Sequence, residues 1–228
     1  MKTKMKALFA VLCVAAVAVV SALGTLAYLT SEDSDVNIFT IGNVSLALEE
    51  TDVDEDDDPH NNQYHVVPGG EYTKDPTVTV KAGSSEAYVR MIMTVKNAAA
   101  VQKIVDNEKH GLTDYADFLG GWNPQIWIYQ DFVLDEENDV IEFEFRYHSI
   151  VDGFDETGVK QDIELEPLFT TLKIPGTVGR EELEALGEDF AIVFEAHAIQ
   201  AAGFTGNEEK NMTAEDMAWN SFEQQVKK

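Results

Sequence analysis

The sequence is poor in cysteine and in basic residues. Its one cysteine, Cys13, lies in an N-terminal apolar run, so the rest of the chain contains no disulfide, no thiolate nucleophile and no sulfur ligand for zinc. Lys and Arg number 16 against 42 Asp and Glu, which gives a formal net charge of −26. Such an acidic chain excludes binding to nucleic-acid phosphates or to an anionic membrane. Cations or basic partners fit it, although high charge also serves solubility alone.

Catalytic motifs are also lacking. The chain has no HExxH zinc motif, no G-x-S-x-G nucleophile elbow, no phosphate loop and no dinucleotide fingerprint. Glu195 and His197 share one face of a predicted strand, where a metal would need a third ligand from a neighbouring strand. The alternative is that His197 is simply hydrogen-bonded. We predict no catalytic residue, no cofactor and no metal ligand among the five histidines, His60, His65, His110, His148 and His197.

The N-terminus has the pattern of a secretory signal. Three lysines within the first six residues precede an apolar run from Ala7 to Val20. The small residues Thr25 and Ala27 predict cleavage by signal peptidase between Ala27 and Tyr28. The alternative is a retained anchor, because the apolar stretch approaches the roughly 20 residues of a membrane-spanning helix. With cleavage, the net charge becomes 13 − 42 = −29, and we expect a secreted or cell-surface protein without a stable membrane anchor.

We divide the chain into a signal peptide (1–27), a mobile and acidic N-terminal arm (28–37) and one domain (38–228) that ends in a helix. Within the domain, the acidic stretch at 51–62 carries carboxylates at alternate positions, starting at Asp52, as a calcium loop does. The sixth position of such a loop needs glycine and the twelfth needs glutamate, but Asp57 and Gln63 stand there. We therefore predict a solvated acidic loop, with a specific metal site as the alternative.

Alternating apolar residues predict a mainly β domain. The predicted strands are 44–49, 78–80, 87–95, 125–130, 140–150 and 190–200, with a further extended segment at 162–174 that is broken by Pro167. Helices are predicted at 98–105 and 180–186, with a turn ending at Phe118 and a last helix capped by Thr213 and Asp216. Strands of this number and length favour a two-sheet antiparallel β-sandwich. Periodicity alone does not distinguish a jelly roll from an immunoglobulin-like Greek key.

Three blocks of sequence resemble the TasA/camelysin family, whose members carry a SipW-type signal peptide. They are TLAYLTSEDS followed by NIFTIGNVSLALEE near the N-terminus, PGGEYTKDPTVTVKA at 68–82 and AHAIQAAGF at 196–204. The blocks span most of the chain after the signal. The resemblance implies a jelly-roll sandwich with a few short helices in the connections, and it also implies that the signal is cleaved.

The resemblance also implies a function. We expect a secreted subunit of cell-surface or biofilm-matrix fibres that self-assembles head-to-tail by strand exchange of the N-terminal arm. Alternatives are a camelysin-type secreted metallo-endopeptidase and a monomeric surface binding module. In a further alternative, Ile38 and Phe39 only begin the first strand of their own domain. The apolar side chains of a donated strand would be Tyr28, Leu29, Val36, Ile38 and Phe39.

Overall fold

The described chain is mainly β structure with a few short helices. The structure, a computed structural model, describes residues 37–51, 53, 64, 66–187 and 190–226. In these residues eleven strands form three sheets. The predicted signal peptide, its cleavage site and most of the acidic loop lie outside the described residues and stay predictions.

The strands are β1 (Asn37–Ile41), β2 (Leu46–Glu49), β3 (Glu71–Thr73), β4 (Thr77–Val80), β5 (Ala87–Lys96), β6 (Leu119–Gly120), β7 (Trp127–Asp135), β8 (Val140–Tyr147), β9 (Ile163–Glu164), β10 (Thr171–Lys173) and β11 (Ile192–Gln200). The helices are α1 (Ala98–Asp106), α2 (Arg180–Glu184) and α3 (Ala214–Val226). Short 3-10 turns occupy Glu108–His110, Tyr115–Phe118 and Glu208–Lys210.

The largest sheet has five strands in the order β1-β11-β5-β8-β7. All its neighbouring pairs are antiparallel except β1, which runs parallel to β11. Two smaller antiparallel sheets have the orders β3-β10-β6 and β2-β4-β9. The predicted β-rich fold is therefore confirmed, but the structure has three sheets and one parallel pair, where two antiparallel sheets were predicted.

One face of the large sheet lies in the main hydrophobic core. Val89 and Met91 of β5 are fully buried there, in the same cluster as Leu48 and Val78 of a small sheet. Burying a side chain of this size stabilises the fold by about 1.5–3 kcal/mol. The apolar residues that alternate in the sequence are thus the ones that pack the large sheet against the small sheets.

The opposite face of the large sheet lies under helix α3, where Arg90 of the central strand β5 is buried. Trp219 and Phe222 of the helix are buried. The helix begins with the predicted reciprocal cap, because the hydroxyl of Thr213 accepts from the backbone N–H of Asp216 at 3.1 Å and the Asp216 carboxylate accepts from that of Thr213 at 2.9 Å. None of the described helices is long and apolar enough to span a membrane.

Candidate functional site at the edge of the large sheet

Strand β1 is the first described segment and forms one edge of the large sheet. Its sequence, Asn-Ile-Phe-Thr-Ile, is rich in β-branched and aromatic residues, which favour extended backbone. Its strand partner is β11, with Ile38 opposite Ala196 and Thr40 opposite Ala198. A parallel ladder is slightly less stable per residue than an antiparallel one. Strand β1 is therefore a short strand held to the sheet from one side by the weaker kind of ladder.

A glycine separates β1 from the rest of the domain. Gly42 has φ of +99°, in the left-handed region that favours glycine. A Cβ at this position would lie 2.6 Å from Cβ of Gln200, so any other residue would force β11 to shift. The side-chain oxygen of Gln200 also accepts from the backbone N–H of Asn43 at 3.3 Å.

Beyond this glycine the chain is fixed to the body of the domain. The carbonyl of Asn43 accepts from the backbone N–H of Ser85 at 2.8 Å, and the carbonyl of Ser45 accepts from that of Lys81 at 2.8 Å. Ser84 Oγ accepts from the N–H of Ser45 at 3.0 Å. Gly42 is thus the last residue before the anchored part of the chain.

Strand β11, against which β1 lies, is held firmly on its other side. It pairs with β5 along its whole length, and Ala196 and Ala198 are fully buried. Ile199 is also buried, in a second cluster with Trp219 and Phe222 of α3, against which Ile41 of β1 packs. If β1 detached from the sheet, β11 would remain as an ordered edge strand bordered by apolar side chains.

A charged network lies beneath α3 on the same face. Arg90 on β5 is 4% exposed, and its guanidinium lies 4.6 Å from the ring centre of Trp219 and 5.0 Å from that of Phe222. It also forms ion pairs with Glu144, at 3.2 Å, and with Glu223 on α3. Because these groups come from two strands and the helix, the network fixes the position of α3 on the sheet.

His197 belongs to this network. Its Nδ1 accepts from Nε of Arg90 at 3.1 Å, and its ring stacks on Phe222 with centres 5.0 Å apart. Its Nε2 lies 3.4 Å from a carboxylate oxygen of Glu195. An arginine already occupies one ring nitrogen, so the predicted alternative of a hydrogen-bonded histidine fits this residue. No three His, Cys, Asp or Glu side chains form a group suited to a metal within the described residues.

The first turn of α3 carries two carboxyl groups with opposite pKa shifts. The N–H of Thr213 and the guanidinium of Arg146, at 2.8 Å, stabilise the Asp216 carboxylate and lower its pKa below the usual value. Burial raises the pKa of neighbouring Glu215. The charged form of Asp216 therefore helps to dock the helix, and that of Glu215 opposes its burial.

A second polar cluster joins α2 to the turn at Glu108–His110. Glu182 accepts from the N–H of Gly179 at 2.7 Å, from Nδ2 of Asn107 at 2.8 Å and from Nε2 of His110 at 2.9 Å, and these contacts lower its pKa to about 2. Nδ1 of His110 lies 3.0 Å from the hydroxyl of Thr177. The imidazole side chain is only 1% exposed. These contacts connect α2 to the Glu108–His110 turn.

An apolar cavity of about 50 Å³ lies in the core between these segments and the large sheet. Its walls include Met93, Phe143, Leu172 and Leu186. Its volume exceeds the roughly 10–15 Å³ that one water needs and is well below the roughly 150 Å³ that holds benzene. The cavity is a packing space in the core, and we assign no ligand to it.

The structure places only part of the predicted donor segment. Ile38 and Phe39 lie in β1, where their backbone pairs with β11 of the same chain. Tyr28, Leu29 and Val36, together with the predicted cleavage site at Ala27, lie outside the described residues, as do His60 and His65. Strand exchange itself stays a prediction. Sequence analysis did not predict that the charge of Arg90 is buried. The only signal for it was a single basic residue among the apolar residues of the predicted strand.

Comparison of the chain with protein-family models, with curated proteins and with solved structures finds no match.

Proposed function

We propose that this protein is a secreted structural subunit that assembles head-to-tail into cell-surface or biofilm-matrix fibres by exchanging its N-terminal strand. In the exchange, β1 of one subunit leaves its own β11 and pairs with β11 of the next. The observation that carries the proposal is the position of β1, at an edge of the large sheet in a short parallel ladder. The resemblance of the sequence to the TasA/camelysin family supports the same function.

Exchange of β1 costs little in interactions, because the incoming strand has the same sequence and remakes the same ladder. The connection also favours it, since Gly42 tolerates the conformational change and the chain from Asn43 onward is anchored. The predicted cleavage after Ala27 would free the segment that precedes β1. Main-chain hydrogen bonds would supply affinity, and alternate apolar side chains would supply specificity.

Exchange at this edge produces a filament. The donated strand and the receiving edge of β11 are different surfaces, so the contact is head-to-tail and propagates instead of closing as a two-fold dimer. We also propose that the domain is a jelly-roll β-sandwich, with the two small sheets together as the second layer. The shared hydrophobic cluster between the large sheet and the strands of both small sheets supports that arrangement.

A disulfide trap tests the exchange directly. The chain from Tyr28 onward contains no cysteine, so Thr40→Cys and Ala198→Cys introduce a single pair across β1 and β11. Adjacent strands lie about 4.8 Å apart, which suits a disulfide. Oxidised monomers should contain the bond within one chain. Oxidised fibres should give a ladder of covalently linked chains on a non-reducing gel.

Fibres whose disulfides all remain within single chains would show that assembly does not exchange β1. A truncated chain without residues 28–41, which lacks β1 and the segment before it, adds a second test, since it should remain a folded monomer and fail to polymerise. If it forms fibres of the same diameter, the exchange mechanism is wrong. The same preparations, assayed for peptide hydrolysis with and without a zinc chelator, test the metallo-endopeptidase alternative.

A further inference from the structure

Strand β7, at the edge opposite β1, exposes an unusual amount of apolar surface. Of the ten most exposed large apolar residues in the described part of the chain, five lie on this strand: Ile128, Tyr129, Phe132, Val133 and Leu134, which are 42%, 40%, 46%, 64% and 47% exposed. Single exposed apolar residues are ordinary, but a contiguous group marks an interaction surface. We call these five residues the β7 strip.

The β7 strip has apolar side chains on both faces of the sheet. A bulge between Tyr129 and Phe132 inserts one extra residue, so that Tyr129, Phe132 and Leu134 all pair with core-facing residues of β8. Ile128 and Val133 fall on the other face, opposite Arg146 and Glu142. In the described sheet β7 pairs only with β8, so both apolar faces end at an open backbone edge.

Two side chains of β7 bond to the backbone of their own strand next to the bulge. Nε2 of Gln130 donates to the carbonyl of Ile128 at 3.2 Å, and the carboxylate of Asp131 accepts from the N–H of Phe132 at 2.8 Å. A bulge and a charged side chain, here Asp131, are devices by which proteins limit pairing at sheet edges. The edge is therefore built for weak, controlled contact.

We propose that the β7 strip is a lateral contact between copies of this chain, in which β7 of one filament pairs antiparallel with β7 of a neighbouring filament. A strand with apolar side chains on both faces is best matched by another such strand, and β7 is the strand of the described chain with this property. The inference rests on the proposed function, because it concerns contacts between filaments and exchange at β1 does not use β7.

Size and charge indicate that each lateral contact is weak. A standard interface uses about 20–30 residues from each partner, whereas β7 has nine residues. Each mature chain also carries a net charge of 13 − 42 = −29, which repels a second copy until salt screens it. Isolated subunits should pair weakly, and two filaments should pair well because many contacts act together. Lateral association should therefore strengthen as salt is added.

The test uses matched lysine substitutions in the mature chain. Val133→Lys places a charge in the β7 strip, and Val159→Lys places the same charge at a residue that is 60% exposed elsewhere. Filament bundling is measured by electron microscopy and light scattering across a sodium chloride series, with circular dichroism to verify folding. We expect salt to bundle wild-type and Val159→Lys filaments. We expect Val133→Lys to weaken bundling about tenfold while single filaments remain. Asp131→Thr removes the carboxylate that accepts from the N–H of Phe132, and it should increase bundling.

Equal bundling of Val133→Lys and wild-type filaments would overturn the inference and leave strand exchange intact. Equal loss of bundling in both lysine variants would overturn it too, because a general charge effect would then explain the result. If no filaments form, strand exchange fails, and sedimentation equilibrium of the soluble chain tests β7 alone. Salt-promoted self-association that only Val133→Lys removes would support the contact, and its absence in the wild-type protein would exclude it.

Discussion

The two faces of the large sheet are attached to their covering layers in different ways. On the core face, β5, β8 and β11 present apolar residues such as Met91, Phe143 and Phe194 to the small sheets. On the opposite face the same strands place Arg90, Arg146 and His197 beneath α3. Alternation of side chains along a strand creates both surfaces from one set of residues.

The difference between the two faces shows which of them depends more on the exact positions of its side chains. Apolar contact is non-directional and tolerates small shifts, so it stabilises the core face at any pH. A buried charge is favourable only while its partners remain in place, since removing one partner leaves an uncompensated charge. The face of the large sheet beneath α3, here called the helix face, should therefore be the more sensitive to substitution of polar groups and to acid.

The largest effect should come from the core face. Phe143→Ala removes a ring that is 4% exposed and that contacts Tyr115 with ring centres 4.9 Å apart. We expect a loss of about 3–5 kcal/mol in the free energy of unfolding, measured by denaturant titration. Phe132→Ala, on the same face but 46% exposed, is the matched control and should cost less than about 1 kcal/mol. Equal losses would show that β7 is as well packed as the core.

Removing the Arg90 charge from the helix face should have the second largest effect on the free energy of unfolding. Arg90→Met keeps an apolar stem of similar length but takes the cation from Glu144 and Glu223. Breaking a fully buried pair costs about 3–5 kcal/mol, and partial exposure of both glutamates reduces the expected loss to about 2 kcal/mol. Arg180→Met removes the exposed pair with Glu184 and should cost less than about 0.5 kcal/mol. A neutral Arg90→Met would mean that apolar contact alone docks α3.

The start of α3 should contribute less. Thr213→Ala removes the hydroxyl that caps the N–H of Asp216, and such a loss typically costs about 1 kcal/mol. Hydrogen exchange should show faster opening of the first turn of α3 while β5 amides stay protected. The exposed Thr205 supplies the control, since Thr205→Ala should leave both rates unchanged. Equal acceleration in the two variants would contradict a specific cap.

The smallest effect should be a pH dependence confined to the helix face. The pKa of Asp216 is lowered from its usual 3.8, so its stabilisation is fully present above that value and is lost as pH falls through the lower, folded pKa. Glu215 has a raised pKa and acts in the opposite direction, because acid relieves the cost of burying its charge. Comparing wild-type protein with Asp216→Asn isolates the first group. The stability difference between them should be constant near neutral pH and shrink in acid, and a difference independent of pH would refute this assignment.

Long regular elements could be predicted from the sequence because their pattern is local. Strands β5 and β11 and the cap of α3 lie where alternation and capping residues place them, and β8 begins at its predicted residue but ends at Tyr147, three residues before its predicted end. The predicted strand at 125–130 was too short, because β7 continues to Asp135 and the bulge after Tyr129 interrupts the period of two. Helix α2 ends at Glu184, two residues before its predicted end, although Gly187 adopts the left-handed conformation expected of a residue after a helix.

The candidate site was only partly predictable. The N-terminal apolar residues Ile38 and Phe39 were identified as strand-forming, but their partner strand lies more than 150 residues away, between Glu195 and Ile199. The β7 strip was not recognised, because exposure depends on whether a second layer covers a strand. Nothing in an alternating pattern tells a covered apolar face from an open one.

The sequence by itself determined an acidic, β-rich chain whose long strands each have an apolar face, because these properties reside in composition and in neighbouring residues. Only the tertiary structure decided that the strands form three sheets, that β1 runs parallel to β11, and that Arg90 is buried between an aromatic helix face and two glutamates. The physical reason is that strand order and burial arise from contacts between distant segments. Those contacts are set by which apolar faces best cover one another, and no local pattern encodes that choice.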